Sequence, residues 1–280
     1  MKTSPEIDCL MEVLSIRPDS SLPVLQRFAQ LDGSCPVFKR GKRSFVYIPG
    51  TREDRVVLVA HADTFWDWYY LSRSDGPDTR LMKHEPYLDG DVVLQMGDEE
   101  WGLGADDRAG CAMLWLLKDS GHSLLITDGE EHGQRAAHYI RTDCPDIYRE
   151  LNRHRYMIQL DRRGASDYKT YRIPVTGEFR RYVEEHTGYA DAGYTSRTDI
   201  VRLCMDVAGV NLSIGYYNEH TPAEILRVNE WLHTYETVRK LLEQPQPPFP
   251  LPVPNLLYTT DLLEQREKER TREEPPEDAD

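Results

Sequence analysis

Two features of the sequence predict an α/β fold, a three-layer sandwich with a mostly parallel central sheet and helices on both faces. Short apolar runs rich in β-branched residues alternate with longer stretches of helical periodicity. Polar, metal-competent residues follow those runs, at the strand ends where open α/β sheets build their sites.

In chain order, the strand-like runs are 55–60 (RVVLVA), 123–127 (SLLIT), 156–160 (YMIQL) and 210–215 (VNLSIG). Helical periodicity covers 107–118, 133–141, 178–187, 197–207 and 222–243. The last stretch carries a start signal, with Thr221 as N-cap, Pro222 at the first helical position and Glu224 completing a capping box. Residues 102–110 (GLGADDRAG) read as a tight turn leading into the first of these helices.

The 280 residues (32.5 kDa) suit one large domain, expected over 1–243, with 244–280 as an appendage. Residues 244–254 (QPQPPFPLPVP) exclude helix and central strand and predict an extended linker. The acidic tail beyond it is expected to be disordered, and removing everything after Glu243 to leave the fold intact. The apolar Leu256, Leu257, Tyr258, Leu262 and Leu263 keep a docking arm open as the alternative. A homo-oligomer is compatible with either.

A net charge of −14 argues against nucleic-acid partners and anionic membrane surfaces. No apolar run approaches the ~20 residues of a membrane span, and the first residues lack an apolar signal region. Five scattered cysteines, without a CxxC, fit a reducing compartment, so the cytoplasm is the predicted location.

His61 and Asp63 follow the first strand run, Asp128 to His132 the second, Asp161 the third, and 216–220 (YYNEH) the fourth. Taken singly, each has a bland reading: His61 a core histidine, Asp106 a helix N-cap, Glu130 and Glu131 a solvated first turn, Asp161 a surface ion pair, His220 a residue before a cap. Together they converge on one sheet edge. Two histidines and several carboxylates without cysteine suit Zn²⁺ or a similar divalent ion. A carboxylate can bridge two such ions about 3.5–4 Å apart, and a further carboxylate can move the proton of the attacking water. The adjacent Glu130 and Glu131 supply one base and one ligand.

The ordered set His61-Ala62-Asp63, Asp106-Asp107-Arg108-Ala109-Gly110, Glu130-Glu131, Asp161 and His220 resembles the co-catalytic dizinc exopeptidases over roughly residues 5–243. That superfamily holds the zinc aminopeptidases, the tetrahedral aminopeptidases and the glutamate-carboxypeptidase and acylase group. The resemblance implies two divalent ions, zinc or else manganese or cobalt, with Asp106 bridging. His61 and Asp161 would complete one site, and Glu131 and His220 the other. It implies Glu130 as general base and then acid, and Asp63 as the residue that orients the His61 ring.

Only 59 positions separate Asp161 from His220, too few for the lid domain of the carboxypeptidase group. The 45 positions from His61 to Asp106 hold an aromatic excursion over 65–101, read either as a local core or as a wall beside the metals. Within 193–199 (GYTSRTD), Asp199 reads as a substrate-side residue or a helix cap, and Arg197 as a solvated residue or a carboxylate binder. His132, His138, His154, His186 and His233 are read as surface or packing residues. The expected activity is hydrolysis of a peptide or small amide at a chain end by an aminopeptidase. The alternatives are an N-acyl amino acid amidohydrolase or carboxypeptidase and, from another class, a catalytically silent binding module.

Overall fold

The computed structural model describes residues 4–69, 82–97 and 100–256. Among them, eight strands form one sheet: β1 (Cys35–Val37), β2 (Phe45–Ile48), β3 (Val57–His61), β6 (Ser123–Thr127), β7 (Met157–Arg162), β8 (Asp167–Lys169), β9 (Ala190–Asp191) and β10 (Gly209–Ser213). Their order is β1-β2-β6-β3-β7-β10-β8-β9. The central strands β6, β3, β7 and β10 run parallel, while β2 and β8 join them antiparallel.

Alternation along these strands feeds two cores. Leu58, Ala60, Leu124, Ile126, Ile158 and Leu160 face one side, with the helices α1 (Pro5–Leu14), α2 (Leu22–Ala29), α4 (Ala105–Leu116), α7 (Gly177–Thr187) and α9 (Val228–Leu242). Val57, Val59, Leu125 and Met157 face the other, with α5 (Arg135–Asp143), α6 (Pro145–Leu151) and α8 (Asp199–Leu203). Burial on both faces explains why these strands read as unbroken apolar runs. The predicted three-layer architecture is therefore found. No helix among the described residues is long and apolar enough to cross a membrane.

Two local expectations are corrected. The last helix begins at Val228, not 222. Residues Ile225–Arg227 form β12, paired with β5 (Val92–Gln95), in a second sheet ordered β11-β12-β5-β4, with β11 at Tyr216–Tyr217 and β4 at Pro86–Asp89. Thr221 donates its hydroxyl to Asn218 O (2.7 Å), and Glu224 is 2 % exposed, turned inward. Strand pairing with a distant hairpin overrides the local cap signal. Similarly, α8 covers only Asp199–Leu203 of the expected 197–207.

The proline-rich segment is extended, as expected, but it is not a linker. Phe249 is buried against Tyr156, Phe179 and Tyr182, with ring centroids 4.9–5.7 Å away. Its N–H donates to Arg155 O (3.1 Å), and its carbonyl accepts from Ala208 N (2.9 Å). Asn255, also buried, donates to Val201 O and Cys204 O. Residues 244–255 are thus a strap across the amino ends of β7 and β10, continuous with the domain. The tail from 257 on, with most of the suggested docking arm, lies outside the described residues.

Candidate metal centre

His61 ends β3, so its ring leaves the sheet at the carboxyl edge. Its Nδ1 donates to the main-chain carbonyl of Asp63 (3.0 Å). In the neutral ring Nε2 then carries the lone pair, and it faces Asp106 Oδ1 at 3.1 Å and Asp161 Oδ1 at 3.4 Å. The Asp63 carboxylate stands farther from the ring, at 3.5 Å, and accepts the amides of Glu130 (3.2 Å) and Glu131 (3.3 Å). Asp63 thus orients the ring chiefly through its carbonyl, while its carboxylate holds the turn bearing both glutamates. The excursion contributes α3 (Phe65–Tyr69), whose Asp67 pairs with Lys42 behind this turn.

Asp106 and Asp107 divide the labour of the second motif. The peptide between them is cis. Asp107 points inward, accepting from His61 N (3.1 Å) and Gly110 N (3.0 Å). Gly110 fits because a Cβ there would lie 2.1 Å from Leu160 O. The glycine therefore lets α4 approach β7 backbone to backbone. Asp106 turns the other way, with Oδ1 toward His61 and Oδ2 3.4 Å from His220 Nε2. Its amide donates to Glu224 Oε1 (3.0 Å), and Gly104 N donates to Oε2 (2.6 Å). Burial pushes the Glu224 carboxyl up to about 8.

Asp161, at the end of β7, is held from several sides. Gln159 Nε2 (2.9 Å) and the Thr198 hydroxyl (2.8 Å) donate to Oδ2, and the Tyr216 hydroxyl donates to Oδ1 (3.3 Å). Glu131 Oε1 lies 2.7 Å from His220 Nε2, and the His220 ring stacks on Phe65 (4.9 Å, 17°). Asp199, the loop acid, is fully buried and accepts from the Thr127 hydroxyl. Thr198, not Asp199, occupies the N-cap position of α8.

The structure thus brings all five expected ligands together as two groups sharing Asp106: His61, Asp106 and Asp161; and Asp106, Glu131 and His220. Within each group the ligand atoms lie within 4.8 Å of one another. The donor set fits a divalent cation on physical grounds. A neutral imidazole lone pair opposed to carboxylate oxygens is acceptor against acceptor, and Asp106 Oδ1 is buried without a hydrogen bond. Burial and neighbouring acids push Glu130, Glu131 (to about 7) and Asp161 upward, since each carboxylate is costly beside the others. Glu130 lines the same cavity of about 500 Å³, and its amide is fixed by Asp63.

Sequence reasoning missed Glu224, Phe65 as the partner of His220, and Gln159, Thr198 and Tyr216 around Asp161. Glu224 carried a signal that favoured a different role. The excursion serves both of its expected uses: Trp66, Met82 and Trp101 make a small core, while Phe65 reaches the site. Residues 70–81 of the excursion lie outside the described residues.

No family model and no curated protein matches the chain. Solved structures share its fold. The TET aminopeptidase from a marine sediment Thaumarchaeota archaeon aligns at 13% identity over 86% of this chain and 97% of its own, with TM-score 0.60. An aminopeptidase from the archaeon Desulfurococcus kamchatkensis aligns at 14% over 85% and 94%, with TM-score 0.58. Aminopeptidase PepT from Bacillus cereus aligns at 15% over 85% and 97%, with TM-score 0.56. The chain has the fold of these aminopeptidases, the fold that its ordered motifs led us to expect. Identities this low define the fold alone.

Proposed function

We propose that the protein is a dinuclear metal-dependent aminopeptidase. One observation carries this reading: two three-residue ligand groups share a single carboxylate, Asp106, beside a cavity that Glu130 also lines. His61 and Asp161 would hold one ion with Asp106, and Glu131 and His220 the other. Zinc, manganese or cobalt ions bound there would supply Lewis acidity for the scissile carbonyl and the attacking water.

The chain's own residues supply the rest. Glu130 takes the proton from the attacking water and delivers it to the departing nitrogen. Asp63 fixes the Glu130 and Glu131 amides and, through its carbonyl, the His61 tautomer. Glu224 pins the Gly104 and Asp106 amides, which sets the bridging carboxylate.

The test is protein purified without chelator, with metal content measured by elemental analysis and activity on aminoacyl and N-acyl amino acid panels. We expect about two ions per chain and cleavage of the aminoacyl set. Preference for the acyl set would transfer the assignment to the amidohydrolase alternative. Full metal loading without hydrolysis of either set would favour the silent binding module.

A further inference from the structure

Besides its carboxylates, the cavity is lined by Arg162, Arg163, Lys169, Thr195, Ser196 and Arg197. Two of its cations have acids of their own. Arg162 is bidentate to Asp167 (2.8 Å for each bond), and Arg163 pairs with Glu219 (2.9 Å). Lys169 differs. It is 7 % exposed, and no acid among the described residues lies within ion-pair distance of its Nζ. Instead Nζ donates to Thr195 O (2.8 Å), Thr195 Oγ1 (3.2 Å) and Ser196 Oγ (3.3 Å). Burial, and then Arg162 and Arg163, push its pKa down.

A nearly buried cation without a direct ion-pair partner is costly, and it opens on a cavity. The two hydroxyl oxygens already accept from the ammonium, so their own hydrogens remain to donate outward. One positive charge behind two polarised hydroxyls suits a carboxylate. The cavity, at about 500 Å³, has room for a short peptide.

We infer that Lys169, with the hydroxyls of Thr195 and Ser196, forms a carboxylate subsite, so that the preferred substrates are short peptides carrying a carboxylate near the scissile bond. This rests on the aminopeptidase reading and names its substrate class. The carboxylate has two sources: the free carboxyl terminus of a di- or tripeptide, or an acidic side chain.

The experiment compares kcat/KM of the metal-loaded enzyme on two matched pairs: trialanine against its carboxyl-terminal amide, and Glu-Ala amide against Gln-Ala amide. One pair is expected to show a preference of about 10–100-fold for the carboxylate, mostly in KM. The pair that shows it identifies the source. Lys169→Met should bring that ratio close to one. If that variant does not fold, Ser196→Gly, at an exposed position with φ 75°, should still lower the ratio several-fold. Equal rates within both pairs would overturn the subsite while leaving the aminopeptidase reading intact. So would a ratio that survives both substitutions. Failure to cleave any of the four peptides would instead count against the aminopeptidase reading.

Discussion

The two ends of the same strands use buried polar groups in opposite ways. At the carboxyl end of β3, β6 and β7, like charges converge: Asp106, Glu131 and Asp161 surround one space, and their acceptors face each other. At the amino end, two polar clusters are built instead from complementary partners. Asp54 takes a bidentate bond from Arg52 (2.8 and 2.7 Å), which holds its carboxyl well below the usual range, and it also accepts Gln246 N (2.8 Å). His154 donates to Glu150 O (2.9 Å) and accepts from Ser123, whose oxygen takes Gly50 N. On the proposed reading one end holds a cation and the other holds the fold, and the contrast can be broken from either side.

The largest effect is expected from removing metal. Chelation should abolish hydrolysis and also lower the melting temperature, because convergent carboxylates lose what offsets their repulsion. Readdition of zinc or manganese should restore both. A melting curve indifferent to chelator would break the proposed division between the ends.

Next is Glu130→Gln. We expect a loss in kcat at or beyond roughly 10²–10⁴-fold, because one residue serves as base and then acid. Metal content and melting should stay as in wild type. Glu131→Gln should instead lose metal with activity, and elemental analysis of the two variants separates the roles. If Glu131→Gln keeps both ions while Glu130→Gln sheds one, the assignments are exchanged.

At the amino end the pattern should invert. Phe249→Ala removes a buried ring and is expected to cost about 3–5 kcal/mol of stability, with kcat/KM per folded molecule unchanged. Truncation after Glu243 should cost more, since it also removes Gln246 and Asn255. Denaturant titration alongside an activity assay reads both. A strap variant that folds normally but loses activity would mean that the two ends are coupled.

The smallest effect concerns pH. Burial pulls His154 down to about 4 from an ordinary 6.5. A depressed histidine favours its neutral form in the fold. Its contribution is therefore complete above about 6.5 and is lost as pH falls toward 4. The limit is about 3 kcal/mol, from 1.36 kcal/mol per unit. His154→Gln keeps a donor for Glu150 but cannot titrate, so stability between pH 6.5 and 4 should become flatter. An unchanged slope would assign the acid sensitivity to other groups.

The same contrast explains what could be read from sequence. Strands buried on both faces give continuous apolar runs that stop abruptly, so His61 and Asp161 stand out as the first polar residues past a run, and Glu130 and Glu131 follow closely behind Asp128. Gly110 was legible as part of a motif, although only the structure gives its reason, the carbonyl of Leu160. What failed depended on distant partners. Thr221-Pro222-Ala223-Glu224 is a sound local start signal, but Glu224 answers to the amides of Gly104 and Asp106, more than a hundred positions away. The proline run was read from composition, while one phenylalanine finding an aromatic pocket decides its fate. The histidines left out of the motif include His154, which proves to be a packing residue, as expected.

The pairing of β5 with β12 reaches further than its few hydrogen bonds suggest. The strand that follows His220 and Glu224 is stitched to a hairpin lying between the first two ligand motifs, so the ornament and the machinery share one seam. If the proposed metal centre holds, variation in that hairpin should therefore register as a change in metal affinity, through His220 and through the Glu224 that fixes Asp106. Chains that lengthen or trim 82–97 would in this way tune how readily a metal there is exchanged, without altering a single one of the proposed ligands.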